Sequence, residues 1–213
     1  PYHRDRAWQR AVLEHFRSSL TRIVEQAHGA GAQVIFVQPA ANLKDFTPFK
    51  SEHTAGLSDE QVERWKGLIV AGRRAQAAGD PQRAVALLRE AEQQNPERAM
   101  GLWYLGDALL AAGQQEDALR YFVRAKDEDV CPLRALSEIG EILRQVAREQ
   151  HVTLVDFPQH LADQYGVLSA VGLECFLDHV HPTLAVHADL GRALAHQLAA
   201  QGVTSGFADS PAL

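Results

Sequence analysis

Sulfur is scarce in this sequence. Two cysteines, Cys131 and Cys175, and a single methionine, Met100, occur in 213 residues. So few thiols exclude a disulfide framework, and the two read as packed thiols rather than a bridge. Long apolar runs are missing as well, since no stretch approaches the ~20 residues of a membrane-spanning helix. Positive charge is in deficit. Lysine and arginine number 21 against 27 aspartates and glutamates, a formal net charge of −6. With no long basic run either, nucleic acid and anionic membrane are excluded as expected partners. No secretory signal pattern is visible. The chain opens on Pro1 and is read as a piece of a longer protein, which leaves localisation open.

What is present suits a globular chain: 46% of residues are hydrophobic and 23% charged, enough for one large domain or two small ones. Residues 5–28 have an amphipathic helical pattern, with Trp8, Val12, Phe16, Leu20, Ile23 and Ala27 at three- and four-residue steps. Gly29 and Gly31 end it. Val34-Ile35-Phe36-Val37 is short, continuous and β-branched, the pattern of a strand buried on both faces. Pro39 closes that strand, and residues 39–57 form a polar loop. Ser58 with Gln61 three residues later has the capping-box pattern of a helix start.

From there the sequence repeats. Gly72, Gly79, Ala84, Leu88 and Ala91 match Gly106, Gly113, Ala118, Phe122 and Ala125, each 34 residues further on (106 − 72 = 34). Small residues let antiparallel helices approach closely. Gly79 and Gly113 mark the turns, and Asp80-Pro81 supplies an N-cap and an N1 proline. The period and the pattern resemble two tetratricopeptide repeats over 59–129. Pro132 is then expected to open another helix, with Leu136, Ile139, Leu143 and Val146 on one face. A second strand follows at Val152-Thr153-Leu154-Val155, then a short helix around 158–165. A closing helix over about 185–200 turns Leu190, Leu194 and Leu198 inward. The tail from Gly202 is expected to fray.

Without the repeats the order is α-β-α-β-α, an α/β pattern with a parallel sheet. The expected architecture is thus an α/β body over 1–58 and 130–213, interrupted by an all-α hairpin insertion over 59–129, and mostly helical overall. Two strands make a poor sheet alone, so further strands are expected upstream of Pro1.

The most informative stretch is Asp178-His179-Val180-His181-Pro182, in a polar loop ahead of the closing helix. An Asp three residues before a His can orient the imidazole, which then takes a proton from a hydroxyl nucleophile. With Gly172 to Leu177 before it and Pro182-Thr183 after, the stretch resembles the Asp-x-x-His-Pro motif of SGNH (GDSL-type) serine esterases. The resemblance is specific across 172–191. It implies a three-layer parallel sheet, present here in part, with His181 as general base and Asp178 as its orienting carboxylate. It also implies a serine in a Gly-Asp-Ser motif and oxyanion-hole Gly and Asn motifs. None of these has a match here. Ser51 and Ser58 lie in the long loop, Ser169 lacks the context, and Ser205 and Ser210 are in the tail. The nucleophile is expected upstream and this chain alone is expected to be inactive. The implied substrate is a small ester or an acetylated carbohydrate.

Asn42, Asp45 and His53 lie in the loop leaving the first strand, where parallel sheets bind ligands, and are candidates for lining a substrate site. The alternative is a packed connecting loop anchored by Phe46 and Phe49. A metal at Asp178, His179, His181 and His187 is disfavoured, because no recognised zinc spacing supports it; no cofactor is expected. His179 is assigned a structural or exposed role. The insertion is a wall over the site, a surface for a protein partner, or a spacer. If the repeats carry the function, the chain is instead a non-catalytic interaction module.

Overall fold

The structure is a computed structural model that describes residues 2–165 and 170–203. Ser169, Ser205, Ser210 and most of the expected frayed tail lie outside them. Among the described residues the chain is mostly helical, with one small parallel sheet of two strands.

Helix α1 (Arg6–Gly29) starts where the Asp5 carboxylate accepts the backbone N–H of Trp8 at 2.8 Å. Strand β1 (Ile35–Gln38) pairs in parallel with β2 (Thr153–Asp156), in a register that places Gln38 beside Asp156. Between the strands run α2 (Asp59–Ala77), α3 (Pro81–Gln94), α4 (Ala99–Ala111), α5 (Gln115–Asp127) and α6 (Ser137–Glu149). After β2 come α7 (Phe157–Tyr165) and α8 (Leu184–Ala200).

Alternation along the strands sends side chains to two faces, and helices cover both. On one face Phe36, Val152 and Leu154 pack with Val24 of α1 and Leu143, Val146 and Ala147 of α6. On the other, Val37 packs with Phe157 and Leu161 of α7, Val186 of α8, and Cys175 and Phe176. The expected double-sided burial of the first strand is only partly met, since Phe36 alone is buried there. Among the described residues β1 pairs only with β2, so its other edge has no strand partner.

The helices between the strands form two hairpins. Gly79 and Gly113 make the turns at φ +78° and +77°, a region where a Cβ is strained. Ser58 and Gln61 form the capping box, and Asp80 accepts from Arg83 N at 3.0 Å. Leu88 and Phe122 are fully buried, each stabilising by roughly 1.5–3 kcal/mol. They fill matching places: a Cβ on Gly72 would stand 2.7 Å from Leu88 Cγ, and one on Gly106 3.0 Å from Phe122 Cδ1. Leu43 and Ala170 from outside the hairpins pack into the same core, so the hairpins lean on the strand-bearing part.

Three sequence expectations shift. Helix α6 starts at Ser137, not Pro132. Residues 129–136 instead run irregularly, because Val130 N–H bonds Lys50 O and the Asp127 carboxylate accepts from Ser137 N. The apolar stripe of α1 is only half covered: Phe16, Leu20 and Val24 pack inward, while Trp8, Val12 and Ile23 stay exposed. In α8 the one buried residue is Val186, and Leu190, Leu194 and Leu198 are half-buried. Both cysteines are free thiols. Among the described residues no helix is long and apolar enough to cross a membrane.

Two glycines of α2 make a matched test of the hairpin packing. A Cβ at Gly67 meets open space, so Gly67→Ala should stabilise by about 0.5–1 kcal/mol through helix propensity. Gly72→Ala drives a methyl into Leu88 and should destabilise by about 1–3 kcal/mol despite the same propensity gain. Urea unfolding of the two variants checks the opposite signs.

Candidate functional site

The Asp178–His181 loop is a tight hairpin held at its base. Leu177 N–H donates to His181 O at 2.8 Å and Thr183 N–H to Cys175 O at 2.9 Å. Buried Cys175 and Phe176 anchor it against Val186 of α8. Pro182 sits opposite Phe176 in an antiparallel bridge, where its missing N–H is no loss.

Within the loop the Asp178 carboxylate does two jobs. Its Oδ1 accepts the backbone N–H groups of Val180 and His181, each at 2.8 Å. Its Oδ2 lies 2.7 Å from His181 Nδ1. The His181 and Val180 amides, together with the His181 ring, hold this carboxyl far below the usual carboxylate range, so it is ionised at neutral pH. With Nδ1–H given to Asp178, the other ring nitrogen, Nε2, is left as the acceptor. The His181 side chain is 71% exposed, and among the described residues no hydroxyl or thiol bonds to it. Cys175 is not a substitute nucleophile, because burial pushes its thiol up to about 11. His179 packs its ring on Phe46 and Phe49, with ring centroids 5.1 and 5.4 Å apart, while its Nδ1 stays 3.7 Å from Asp178 Oδ1.

The three loop candidates fall in different places. Asn42 is fully buried and is a strut rather than a wall residue. Its backbone N–H donates to His179 O at 3.0 Å, and its Nδ2 donates to Asp178 O at 3.2 Å. Its Oδ1 accepts from Asp45 N at 3.0 Å. Asp45 is half-exposed but engaged: its Oδ2 accepts from Leu173 N at 2.9 Å and Lys44 Nζ at 3.2 Å. Lys44 also donates to Glu174 Oε2 at 2.6 Å, a second tie between the two loops. His53 is not brought to the dyad. Its Nδ1 accepts from Asn95 Nδ2 at 2.5 Å and its ring meets the edge of Trp65, both in the hairpins. Desolvation, with Arg98 and Lys66 nearby, holds His53 below its ordinary value.

Arg134 had no sequence signal. It is almost fully buried, and its Nη1 donates to Asn42 O at 2.9 Å and Phe46 O at 3.0 Å. A lone arginine in a loop looks solvated in sequence; only the fold folds it under the site. Among the described residues no three His, Cys, Asp or Glu side chains converge to hold a metal ion. A cleft of about 370 Å³ opens at the C-terminal ends of the strands, walled on one side by α5, but neither Asp178 nor His181 lines it. Comparisons with protein-family models, with curated proteins and with solved structures found no match.

Replacing the strut by Asn42→Ala removes a buried amide's bonds and should cost about 1–3 kcal/mol. Hydrogen exchange should quicken at the Val180 and His181 amides more than in α3 or α4. His53 gives a pH signature. Its folded pKa is depressed, so below its ordinary value of 6.5 the unfolded chain binds more protons and stability is lost as pH is lowered. Urea midpoints compared at about pH 7 and about pH 5.5 should show a smaller drop in His53→Gln than in the parent chain.

Proposed function

We propose that this chain carries the base half of an SGNH-type acyl-ester hydrolase. His181 is the general base, Asp178 fixes its tautomer and orientation, and the serine and oxyanion-hole groups come from polypeptide upstream of Pro1. The observation that carries this reading is the 2.7 Å Asp178 Oδ2–His181 Nδ1 contact, which leaves the opposite ring nitrogen to face an incoming hydroxyl. The carboxylate is pre-set by backbone amides, as a group that must stay ionised beside an imidazolium requires. The strand edge of β1 left without a partner among the described residues offers a place for the remaining strands of a three-layer sheet.

The substrate is a small ester, such as an acetyl group on a carbohydrate. In the full-length gene product, His181→Ala should lower hydrolysis of p-nitrophenyl acetate by about 10³-fold or more, and Asp178→Asn by a similar order. The chain of 213 residues alone should be inactive. Undiminished turnover in His181→Ala would rule out this base.

A second reading has its own support. The equal packing of Gly72 on Leu88 and Gly106 on Phe122 fits a pair of tetratricopeptide repeats over 59–129. In that reading the hairpins bind a protein partner and the strand-bearing part is a scaffold. An inactive full-length protein that nonetheless retains a saturable protein partner would favour it.

A further inference from the structure

We propose that the cleft at the strand ends is a binding site for an uncharged aliphatic alcohol. Most of its wall is aliphatic: Leu43 and Val171 from the loops, Ala162 from α7, and Leu119 and Val123 from α5. At about 370 Å³ it is at the small end of the range for ligand pockets, and it sits where parallel sheets bind ligands, beyond the C-terminal ends of their strands.

Two polar groups meet in this apolar wall. Gln38 and Asp156 are register partners, each the last residue of its strand. Arg144 lies behind both, its Nη1 2.6 Å from Gln38 Oε1 and 3.8 Å from Asp156 Oδ2. Bonding of the carbonyl oxygen to Arg144 fixes the Gln38 amide, so its Nε2 is a donor with no acceptor among the described residues. Gly140 makes this pose possible, since a Cβ there would stand 2.9 Å from Gln38 Nε2. On Asp156, Oδ1 is taken by Gln159 N at 3.1 Å, while Oδ2 has only the distant arginine. A hydroxyl offers both a lone pair for Gln38 Nε2 and a proton for Asp156 Oδ2, so an alcohol matches the two groups in chemistry.

The cation in the wall does not change this choice. Lys126 spends its ammonium on Asp127 Oδ1 at 2.6 Å, Ala135 O at 2.7 Å and Ser137 Oγ at 3.4 Å. Arg144 is the other cation nearby, and it is engaged by Gln38 Oε1 at 2.6 Å with Asp156 Oδ2 at 3.8 Å, so a carboxylate ligand meets two cations already committed to protein oxygens and faces the Asp156 charge. Alcohol binding in this cleft needs neither His181 nor a serine nucleophile, so it stands apart from ester hydrolysis.

The test is a titration of the isotope-labelled chain with 1-hexanol and, separately, with hexanoate, followed by amide chemical shifts. Saturable shifts confined to Ala40, Gly140 and Val171 and their neighbours are expected with 1-hexanol. Hexanoate should bind at least about fivefold more weakly. Val123→Trp, which fills the cleft from α5, should abolish the 1-hexanol shifts while the amide resonances of α3 and α4 keep their parent positions. Non-saturating shifts scattered over the helices, or hexanoate affinity within about fivefold of the alcohol, overturn the proposal. The comparison of the two ligands on the unsubstituted chain decides the matter even where Val123→Trp fails to fold.

Discussion

The buried amide of Asn42 is the joint on which the site depends. A fully buried amide must find partners for its polar atoms or destabilise the fold. Asn42 finds them in segments far apart in sequence: the backbone of Asp178 and His179, and the backbone of Asp45. Its own carbonyl receives Arg134. One residue thus holds the loop after β1, the loop carrying Asp178, and the segment before α6 in a single arrangement. Arg134 shares the same constraint. Burial lowers its pKa, opposed by the nearby Asp129 and Asp127 carboxylates, and its Nη1 is held by Asn42 O and Phe46 O.

Around that joint the chain solves a connection problem. Parallel strands cannot be joined by a tight turn, so the path from β1 to β2 must cross over. Here the crossover contains two helical hairpins as well as α6. The hairpins do not hang free. Leu43 and Ala170 plug into their core, and Asp127 at the end of α5 caps the first residue of α6 through Ser137 N at 2.9 Å. The last hairpin helix therefore forms a wall over the strand ends. It does so beside the Asp178–His181 loop, not over it, and the two sites share a supporting loop rather than a cavity.

The dyad is chemically local. Asp178 needs no distant residue to stay ionised, because the amides of Val180 and His181 lie within its own turn. That is why an Asp-x-x-His spacing was readable without a structure. The burial of Asn42 was not readable, since an asparagine in a polar loop looks the same in sequence whether it faces water or the core. His53 misled for a related reason: a residue of the same loop, it is captured by Asn95 and Trp65 of the hairpins. The stripe on α1 was legible as a pattern, yet pattern alone could not tell that Trp8, Val12 and Ile23 lack a covering neighbour among the described residues.

Local chemistry in the sequence by itself determined the helix caps at Ser58 and Asp80, the glycine turns, the hairpin period and the contact between positions 178 and 181. Each depends on residues within a few positions of one another, or on a repeat of such units, so no distant partner is needed. Only the tertiary structure decided which loop residues became struts, where α6 begins, and what the hairpins cover. Those outcomes depend on groups that the local pattern does not bring together, as Asn42 meets Asp178 and Val130 meets Lys50.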